Sequence, residues 1–342
     1  MADKKTIKDL NSLIRFDERK RLKLPAKRPS IDSSIGYASV ADTDSVETEQ
    51  FLYVRMRGYG VTDDDVYRFD GIGSAPDYVS NAGGNAGLGI LNQVVYGAER
   101  GMTDIYKNYP EILLTTLAPV ECVYTNTNHI IVFKNNRDIE RYTHAGVFVD
   151  SFSMAYANSA HRQMVANNNI IVSFSQRANP NPDSNGIDSV VITNVDGTYL
   201  STTDLVNDHS SMFTPAVCSN ACIVIDFAVE GVVGGDHVLK VFNNEGLNIA
   251  TVTIDGDELT SHTGSVLSTV AMTNSHLFLF SENYSGISTL HKCAIYSHTI
   301  TGGSVATGYT LGAYVATVDC PTQNSVEGLN ISSSMDAFFF FD

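Results

Sequence analysis

Residues able to perform chemistry are few in this sequence. Three carboxylates stand together at Asp63, Asp64 and Asp65. A calcium loop needs oxygen ligands at alternating positions and a glycine at its turn, so we interpret these consecutive aspartates as a solvated hairpin loop and expect no metal site. The Gly-x-Ser-x-Gly pattern of a nucleophile elbow does not occur. The residue types and spacings therefore predict no catalytic residue, no cofactor and no enzymatic activity.

Cysteine and histidine form no recognisable site in the sequence either. The five cysteines are odd in number and include no Cys-x-x-Cys pair, which argues against a disulfide framework and against a structural zinc site. Cys218 and Cys222 fall on successive predicted strands, where cysteine usually serves as a small buried hydrophobe. His129 and His276 occupy equivalent positions in two copies of a repeat. We therefore expect structural or surface roles for both histidines.

The repeat consists of a short apolar segment, a polar turn rich in Asn and Ser, and an apolar run that ends in Phe. Asn and Ser favour tight turns because their side chains bond the nearby backbone, and Ile, Val and Phe runs between such turns are typical of buried strands. The pattern thus predicts a strand–turn–strand unit. Its five copies span residues 123–133, 164–174, 216–227, 270–280 and 329–341.

Each copy continues into a second pair of strands. Segments such as 141–149, 190–200 and 238–250 carry apolar residues on both sides of a glycine-containing turn. Glycine supplies the positive φ angle that a tight hairpin needs, where a side chain would clash. The whole unit is predicted to hold four antiparallel strands, which is the composition of a β-propeller blade.

The repeat predicts an all-β fold of the β-propeller type. Counted from Ile130 through Ile170, Ile223, Leu277 and Phe338, the copies lie 40, 53, 54 and 61 residues apart. These intervals are somewhat longer than the roughly 40–50 residues of familiar propeller repeats. We predict five or six four-stranded blades within residues 49–342. The alternative is a large β-sandwich whose strands resemble one another by coincidence.

The last copy of the repeat stops half-way through a blade, so another segment must pair with its final strand to avoid an open apolar edge. Residues 51–70 contain a hairpin around the turn Gly58-Tyr59-Gly60. We predict that this hairpin pairs with residues 337–341 and closes the propeller. The residues assigned to the closure are Phe51, Tyr53, Phe338 and Phe340.

Residues 71–121 are rich in Gly, Ala and Asn and contain no run of the repeat. They also lack the spacing of a phosphate-binding loop or of a dinucleotide fingerprint. We predict a long irregular loop, with a short helix over residues 97–106. The choice between five and six blades depends on this region.

Charge is distributed unevenly along the chain. Residues 1–30 hold ten of the 22 Lys and Arg and four acids, which gives them a net charge of +6. Because the whole chain has a net charge of −16, the other residues together carry −22. Apolar residues at partly helical spacing predict an amphipathic helix over 6–23, followed by a flexible linker, so that residues 1–48 form an arm. The alternative is a disordered, solvated terminus. The arm residues expected to bind a partner are Lys4, Lys5, Lys8, Leu10, Leu13, Ile14, Phe16, Arg19, Arg21 and Lys23.

The sequence gives no sign of insertion into a membrane or of secretion. No apolar run of 18 residues occurs, so we expect no transmembrane helix. The first residues lack the apolar segment of a secretory signal. We therefore expect synthesis in the host cytoplasm, and retention there or incorporation into a particle.

The basic residues of 4–28, the polar linker to Ser45 and the degenerate Phe-ended repeats resemble, in overall style, structural proteins of tailed bacteriophage particles. The resemblance is to neck, nozzle and tail components with β-propeller or β-sandwich bodies and extended arms. It implies a non-enzymatic virion component that forms a homo-oligomeric ring and docks on other virion proteins through its arm, with nucleic acid as a secondary partner. The alternative is a receptor- or glycan-binding propeller module of a phage tail. A propeller glycosidase would instead require two or three clustered acids at a central channel.

Overall fold

The Phe-ended apolar runs form strands that are buried on both faces. Ile130, Ile170 and Leu277, for example, are completely inaccessible to solvent in the computed structural model of this chain. In several strands before residue 123 only the backbone is described. The described residues are 52–57, 64–69, 71–83, 85–91, 94–99, 104–107, 112–116, 120–126, 128–134, 138–154, 164–177, 187–205, 215–227, 235–264, 266–282, 292–303, 305–320 and 335–339.

The described strands form six four-stranded antiparallel sheets, which we name A to F in chain order. Sheet A is built from β1 (Leu52–Arg57), β2 (Asp64–Phe69), β3 (Asp77–Gly83) and β24 (Met335–Phe339). Sheet B is built from β4 (Asn85–Leu91), β5 (Val94–Glu99), β6 (Asp104–Lys107) and β7 (Ile112–Thr116). Sheet C is built from β8 (Val120–Thr125), β9 (Ile130–Lys134), β10 (Asp138–Tyr142) and β11 (Phe148–Ser153). Sheets D, E and F are built from β12 (Met164–Ala166), β13 (Ile170–Arg177), β14 (Ile187–Asn194) and β15 (Tyr199–Asp204); β16 (Ala216–Val217), β17 (Ala221–Phe227), β18 (His237–Asn243) and β19 (Asn248–Ile254); and β20 (Val266–Met272), β21 (His276–Glu282), β22 (Lys292–Thr301) and β23 (Gly308–Asp319).

The first strands of the six sheets neighbour one another in a closed cycle. Strand β24 lies beside β4, β4 beside β8, β8 beside β12, β12 beside β16, β16 beside β20, and β20 beside β24. The remaining strands of each sheet follow outward in chain order. This arrangement is β-propeller-like and all-β, as the repeat predicts. Of the two predicted numbers of four-stranded sheets, five or six, the described strands form six.

Sheet A combines strands from the two ends of the propeller domain. Strand β24 pairs antiparallel with β1, and Tyr53 lies opposite Phe338 in their register. Phe51 and Phe340 lie outside the described residues. Sheet A also packs on sheet F, where the rings of Phe69 and Phe280 meet edge to face at 5.5 Å between centroids.

The hydrophobic core lies in layers between adjacent sheets. One layer joins sheets C, D and part of E around Ile131, Val172 and Val224. A second joins sheets E and F around Ile225 and Leu279, and a third joins F to A around Phe280. Fully burying a side chain of this size stabilises the fold by roughly 1.5–3 kcal/mol, so these layers hold the sheets together.

The prediction of an irregular loop and a helix within residues 71–121 was wrong. Strands β3 to β7 occupy this region, and residues 97–106 contain the end of β5 and part of β6. Glycines weaken strands in isolation, but here they stand opposite tyrosines: Gly89 pairs with Tyr96 and Gly97 with Tyr106. Cross-strand pairing, which depends on the tertiary fold, therefore outweighs the low strand propensity of these glycines.

A short helix, α1 (Gly256–Thr263), connects sheets E and F. The Asp255 side chain caps it by accepting bonds from the N–H groups of Asp257 and Glu258, and Gly264 ends it with a φ of 75°. These are ordinary start and stop signals for a helix, and they were missed in reading the sequence. Within the described residues, no helix has the length and apolar character needed to cross a bilayer.

Candidate interaction surface

In sheets C to F, the first turn connects the first and second strands, and one side chain closes it. Asn126 in sheet C and Asn167 in sheet D each accept two hydrogen bonds at Oδ1, from the N–H groups two and three residues further on, at 2.7 to 2.9 Å. In sheet F, Thr273 Oγ1 accepts a bond at 3.1 Å from the N–H three residues further on. These bonds satisfy N–H groups that no strand pairs, so the side chains are used for turn formation.

Cys218 takes the same place in the first turn of sheet E. Its N–H donates to the carbonyl of Ala221 at 2.9 Å, and its thiol faces the N–H groups of Asn220 and Ala221. Burial raises the pKa of Cys218 to about 12 and raises the pKa of Cys222 as well. Both are buried, as predicted, but Cys218 lies in the turn and not on a strand. Both thiols therefore stay protonated and structural.

His129 and His276 stand at the end of this turn, at the equivalent places that the repeat indicates. The carbonyl oxygens of His129 and His276 accept the closing bonds at 3.0 and 2.9 Å. Burial, followed by the charge of Arg141, lowers the pKa of His129. The imidazole of His276 lies against Gly71 of sheet A, where a Cβ would overlap the ring. Both residues thus contribute to turn geometry, and His276 also to packing between sheets.

Amide side chains join the turns of neighbouring sheets. The Nδ2 of Asn167 in sheet D donates to the carbonyl of Cys218 at 2.8 Å and to Oδ1 of Asn244 at 3.0 Å, both in sheet E. The Nδ2 of Asn243 donates to the carbonyl of Ala306 in sheet F at 3.0 Å. Asn167 and Asn243 are buried. The asparagines of this end therefore hold adjacent sheets in register.

The second turn, between the third and fourth strands, has one geometry in sheets C, D and E. Its glycines, Gly146, Gly197 and Gly246, have φ angles of 79°, 91° and 75°. Each glycine N–H donates at 2.9 Å to the carbonyl three residues earlier. The positive φ predicted for these glycines is confirmed, and a side chain at any of the three would strain the backbone.

These turns also lie against the fourth strand of the preceding sheet. A Cβ at Gly197 would lie 2.6 Å from Cγ of Phe152 in sheet C, and a Cβ at Gly246 would lie 2.6 Å from Oγ of Ser201 in sheet D. The glycines thus allow close contact between neighbouring sheets as well as the turn itself.

An apolar surface follows the same turns. It consists of side chains that begin the fourth strand or directly precede it, and all are solvent-exposed: Val147, Phe148, Val149, Tyr199 and Leu247. We call this set the apolar rim. The second turn of sheet E lies against Leu200 and Ser201, beside Tyr199, and the second turn of sheet D lies against Phe152 of β11, so the rim residues belong to three adjacent sheets. Groups of exposed apolar residues are typical of interaction sites.

Charged groups accompany the rim. Arg141 binds both carboxylate oxygens of Asp150, with Nε to Oδ1 at 2.6 Å, and donates to the carbonyl of Val195 in sheet D at 2.9 Å. The hydrogen bond from Arg141 lowers the pKa of Asp150. Asp196 and Glu245 are exposed immediately before the turn glycines of sheets D and E. The apolar rim therefore has exposed acidic side chains beside it.

Charged side chains away from the rim pair within the fold. Lys134 binds Glu140 in sheet C, and Lys240 binds Asp226 in sheet E at 2.9 Å. In the part of the chain that the structure describes, no group of three or more His, Cys, Asp or Glu could hold a metal ion. The aspartates predicted to lie in a hairpin loop do so at most in part, because Asp64 and Asp65 begin β2.

The other predicted functional segment lies outside the described residues. This applies to the whole arm, residues 1–48, and to every residue of it expected to bind a partner. It also applies to residues 178–186 of the loop 177–186, which the alternative, a receptor- or glycan-binding module, is expected to use.

Sequence reasoning missed the apolar rim and the asparagine bridges between sheets. A signal for the rim was present: apolar residues follow the second-turn glycine within two positions at Val147, Tyr199 and Leu247. An alternating strand pattern assigns such residues to the core, and only the structure shows them exposed. The bridges carried no signal, because their partners lie 51 and 77 residues apart in the chain.

Comparisons with known proteins identify no family. No family model and no curated protein matches this chain. Solved structures to which this chain has some similarity include the complex of KlAtg21 with the coiled coil of AgAtg16, at 11% identity over 75% of this chain and 96% of that one, with a TM-score of 0.43. The designed protein Ika8 is 12% identical over 80% of both chains, with a TM-score of 0.42. A chain of the nidogen/laminin complex is 10% identical over 80% of this chain and 99% of that one, with a TM-score of 0.43.

Proposed function

We propose that this protein is a non-enzymatic structural subunit of a phage particle, in a tail, neck or nozzle assembly, which self-associates and contacts neighbouring subunits through residues 1–48. The observation that carries the proposal is the apolar rim. The phage setting is supported by the resemblance of the basic arm, polar linker and Phe-ended repeats to components of such particles. The virion is accordingly the proposed location.

The exposure of the rim favours assembly. Phe148 and Leu247 expose 53% and 59% of their surface, although the same fold buries Phe278 and Phe280 completely. Leaving large apolar side chains in water forgoes roughly 1.5–3 kcal/mol each, which a partner surface recovers. The turns of neighbouring sheets are joined by hydrogen bonds from the side chains of Asn167 and Asn243. These bonds fix the positions of the turns relative to one another.

Charge supports contact between an arm and a propeller domain. The arm region 1–30 has a net charge of +6 and the other residues carry −22. The propeller domain, residues 49–342, has a net charge of −18. Two propeller domains of this charge repel each other, whereas the basic residues of the arm are attracted to either. An assembly held together by arms therefore avoids the repulsion that direct contact between the domains would cause.

The proposal is tested on the full-length chain by light-scattering mass. The wild type is expected to form a defined oligomer, and a Leu13→Ser, Phe16→Ser variant is expected to be a monomer with the same thermal unfolding midpoint. Incorporation of each tagged form into particles is then measured by mass spectrometry of purified virions. A wild type that stays monomeric and is absent from particles would sink the proposal.

A further inference from the structure

We infer that the apolar rim is the surface that binds residues 4–28, the basic part of the arm, of a second copy of this chain. The inference rests on the proposed function, in which the arm contacts neighbouring subunits, and it names the surface contacted. It concerns the second turns and fourth strands of sheets C, D and E.

The rim offers apolar side chains on three adjacent sheets. Val147 of sheet C and Leu247 of sheet E are each about three-fifths exposed, and Tyr199 of sheet D is also exposed. The second turn of sheet E lies against Leu200 and Ser201, directly after Tyr199, and the second turn of sheet D lies against Phe152 of β11. An extended segment that crosses the three sheets can therefore contact these side chains in turn.

Acidic groups are interspersed with these apolar side chains. Asp196 and Glu245 each stand one residue before a turn glycine and are exposed. The Thr198 N–H donates to Oδ1 of Asp196 at 3.0 Å, which lowers the pKa of that carboxyl. A ligand that fits the rim must therefore be apolar and cationic.

The arm has this composition. Leu13 and Phe16 stand within a segment that also holds Arg19 and Arg21. The intervening residues 29–51 can span at most about 80 Å when fully extended, which is enough to reach an adjacent subunit. A segment that is both basic and apolar meets the two requirements that the rim imposes.

Photo-crosslinking identifies the contact directly. Phe16 is replaced by benzoylphenylalanine in the full-length protein, and an equal mixture of unlabelled and isotope-labelled chains is irradiated. Cross-linked peptides that combine both labels and contain residues 143–153, 194–204 or 243–250 are expected. Cross-links confined to one chain, or directed to other parts of the propeller domain, would overturn the inference.

A charge exchange provides the second test. Asp196→Lys with Glu245→Lys, or Arg19→Glu with Arg21→Glu, should each weaken self-association at least tenfold. All four substitutions in one chain should restore it to within about threefold of the wild type. The matched control is Asp204→Lys, at the opposite end of β15, which should leave association unchanged. Absence of restoration would count against the pairing of arm and rim.

The outcomes separate this inference from the proposed function. If the wild type neither self-associates nor enters particles, both fail. If it enters particles without self-associating, only the inference fails. If the Leu13→Ser, Phe16→Ser variant dissociates but the rim variants remain assembled and no cross-link reaches the rim, the arm contacts another surface, and only the inference fails.

Discussion

A Cβ atom placed on Gly197 would lie 2.6 Å from Cγ of Phe152. The second turn of sheet D and the fourth strand of sheet C therefore fit together without room for one methyl group. Gly246 has the same relationship to Ser201 in the next pair of sheets. The glycine that shapes each hairpin thus also determines how closely adjacent sheets pack.

Gly197→Ala is predicted to destabilise the fold more than Gly264→Ala. Both positions have positive φ, 91° and 75°, which costs a residue with a side chain about 1–2 kcal/mol. At Gly264 no described atom lies within 4 Å of the Cβ position, so only this strain applies. At Gly197 the clash with Phe152 adds about 1–3 kcal/mol. Urea unfolding of both variants measures the difference.

A double variant checks the cause. Adding Phe152→Ala to Gly197→Ala removes the clash, so the pair should cost less than the sum of the two single changes. Strict additivity would show that the ring contact does not contribute to the effect of the substitution.

Asn167→Ala is predicted to cost about 2–6 kcal/mol, because it removes two bonds within the turn and two to sheet E, at about 0.5–1.5 kcal/mol each. Asn169→Ala is the matched control in the same turn. Asn169 is exposed and donates one long bond of 3.4 Å to the carbonyl of Ser219, so its loss should change stability by about 0.5 kcal/mol or less. Equal losses in chemical denaturation would refute the bridging role of Asn167.

Stability is predicted to fall as the pH drops from 6.5 toward 4. Burial lowers the pKa of His298 from 6.5 to about 4, so within this window the unfolded chain binds a proton that the folded chain does not. The stability is therefore present above the unfolded pKa and is lost below it, by up to ~3 kcal/mol. Unfolding free energies measured from pH 8 to pH 4 give the slope.

His298→Gln should flatten this slope. At pH 8, where the imidazole of the wild type is neutral in both states, comparison of the two proteins isolates the packing cost of the substitution. Burial also lowers the pKa values of His129 and His237, so part of the slope should remain. An unchanged slope in the variant would exclude His298 as its source.

Val147→Ser combined with Phe148→Ser is predicted to weaken self-association at least tenfold, because both side chains are more than half exposed. The ring of Phe148 also meets the buried Tyr142 edge to face at 5.6 Å, so the thermal midpoint of this variant is expected to fall slightly. Ile72→Ser is the matched control: Ile72 is 79% exposed in the second turn of sheet A, outside the rim. Sedimentation equilibrium of the wild type, the double variant and Ile72→Ser measures the association constant of each. Equal weakening by the control would mean that association is not specific to the rim.

Part of the fold was predictable because its signals are local. The Phe-ended runs and the second-turn glycines repeat in the chain, and each needs only its immediate neighbours to specify a strand or a positive φ. Cys218 and Cys222 were also predictable as buried residues, because they stand among apolar residues in the sequence.

Other features were not predictable because they depend on residues far apart in the chain. Strands β4 and β5 contain glycines that weaken a strand in isolation, and two of these, Gly89 and Gly97, stand opposite Tyr96 and Tyr106. The rim could not be told from the core, since an apolar residue after a turn has the same sequence pattern whether a neighbouring sheet covers it or not.

The sequence by itself determined the strand–turn–strand units, the glycines that turn them and the opposite charges of arm and propeller domain, because periodicity, backbone sterics and net charge are properties of the chain. The tertiary structure alone decided that Asn167 bridges sheets D and E, that Gly197 lies against Phe152, and that Val147 and Leu247 face solvent. The physical reason is that these contacts join separate sheets, and the packing of one sheet on the next places them.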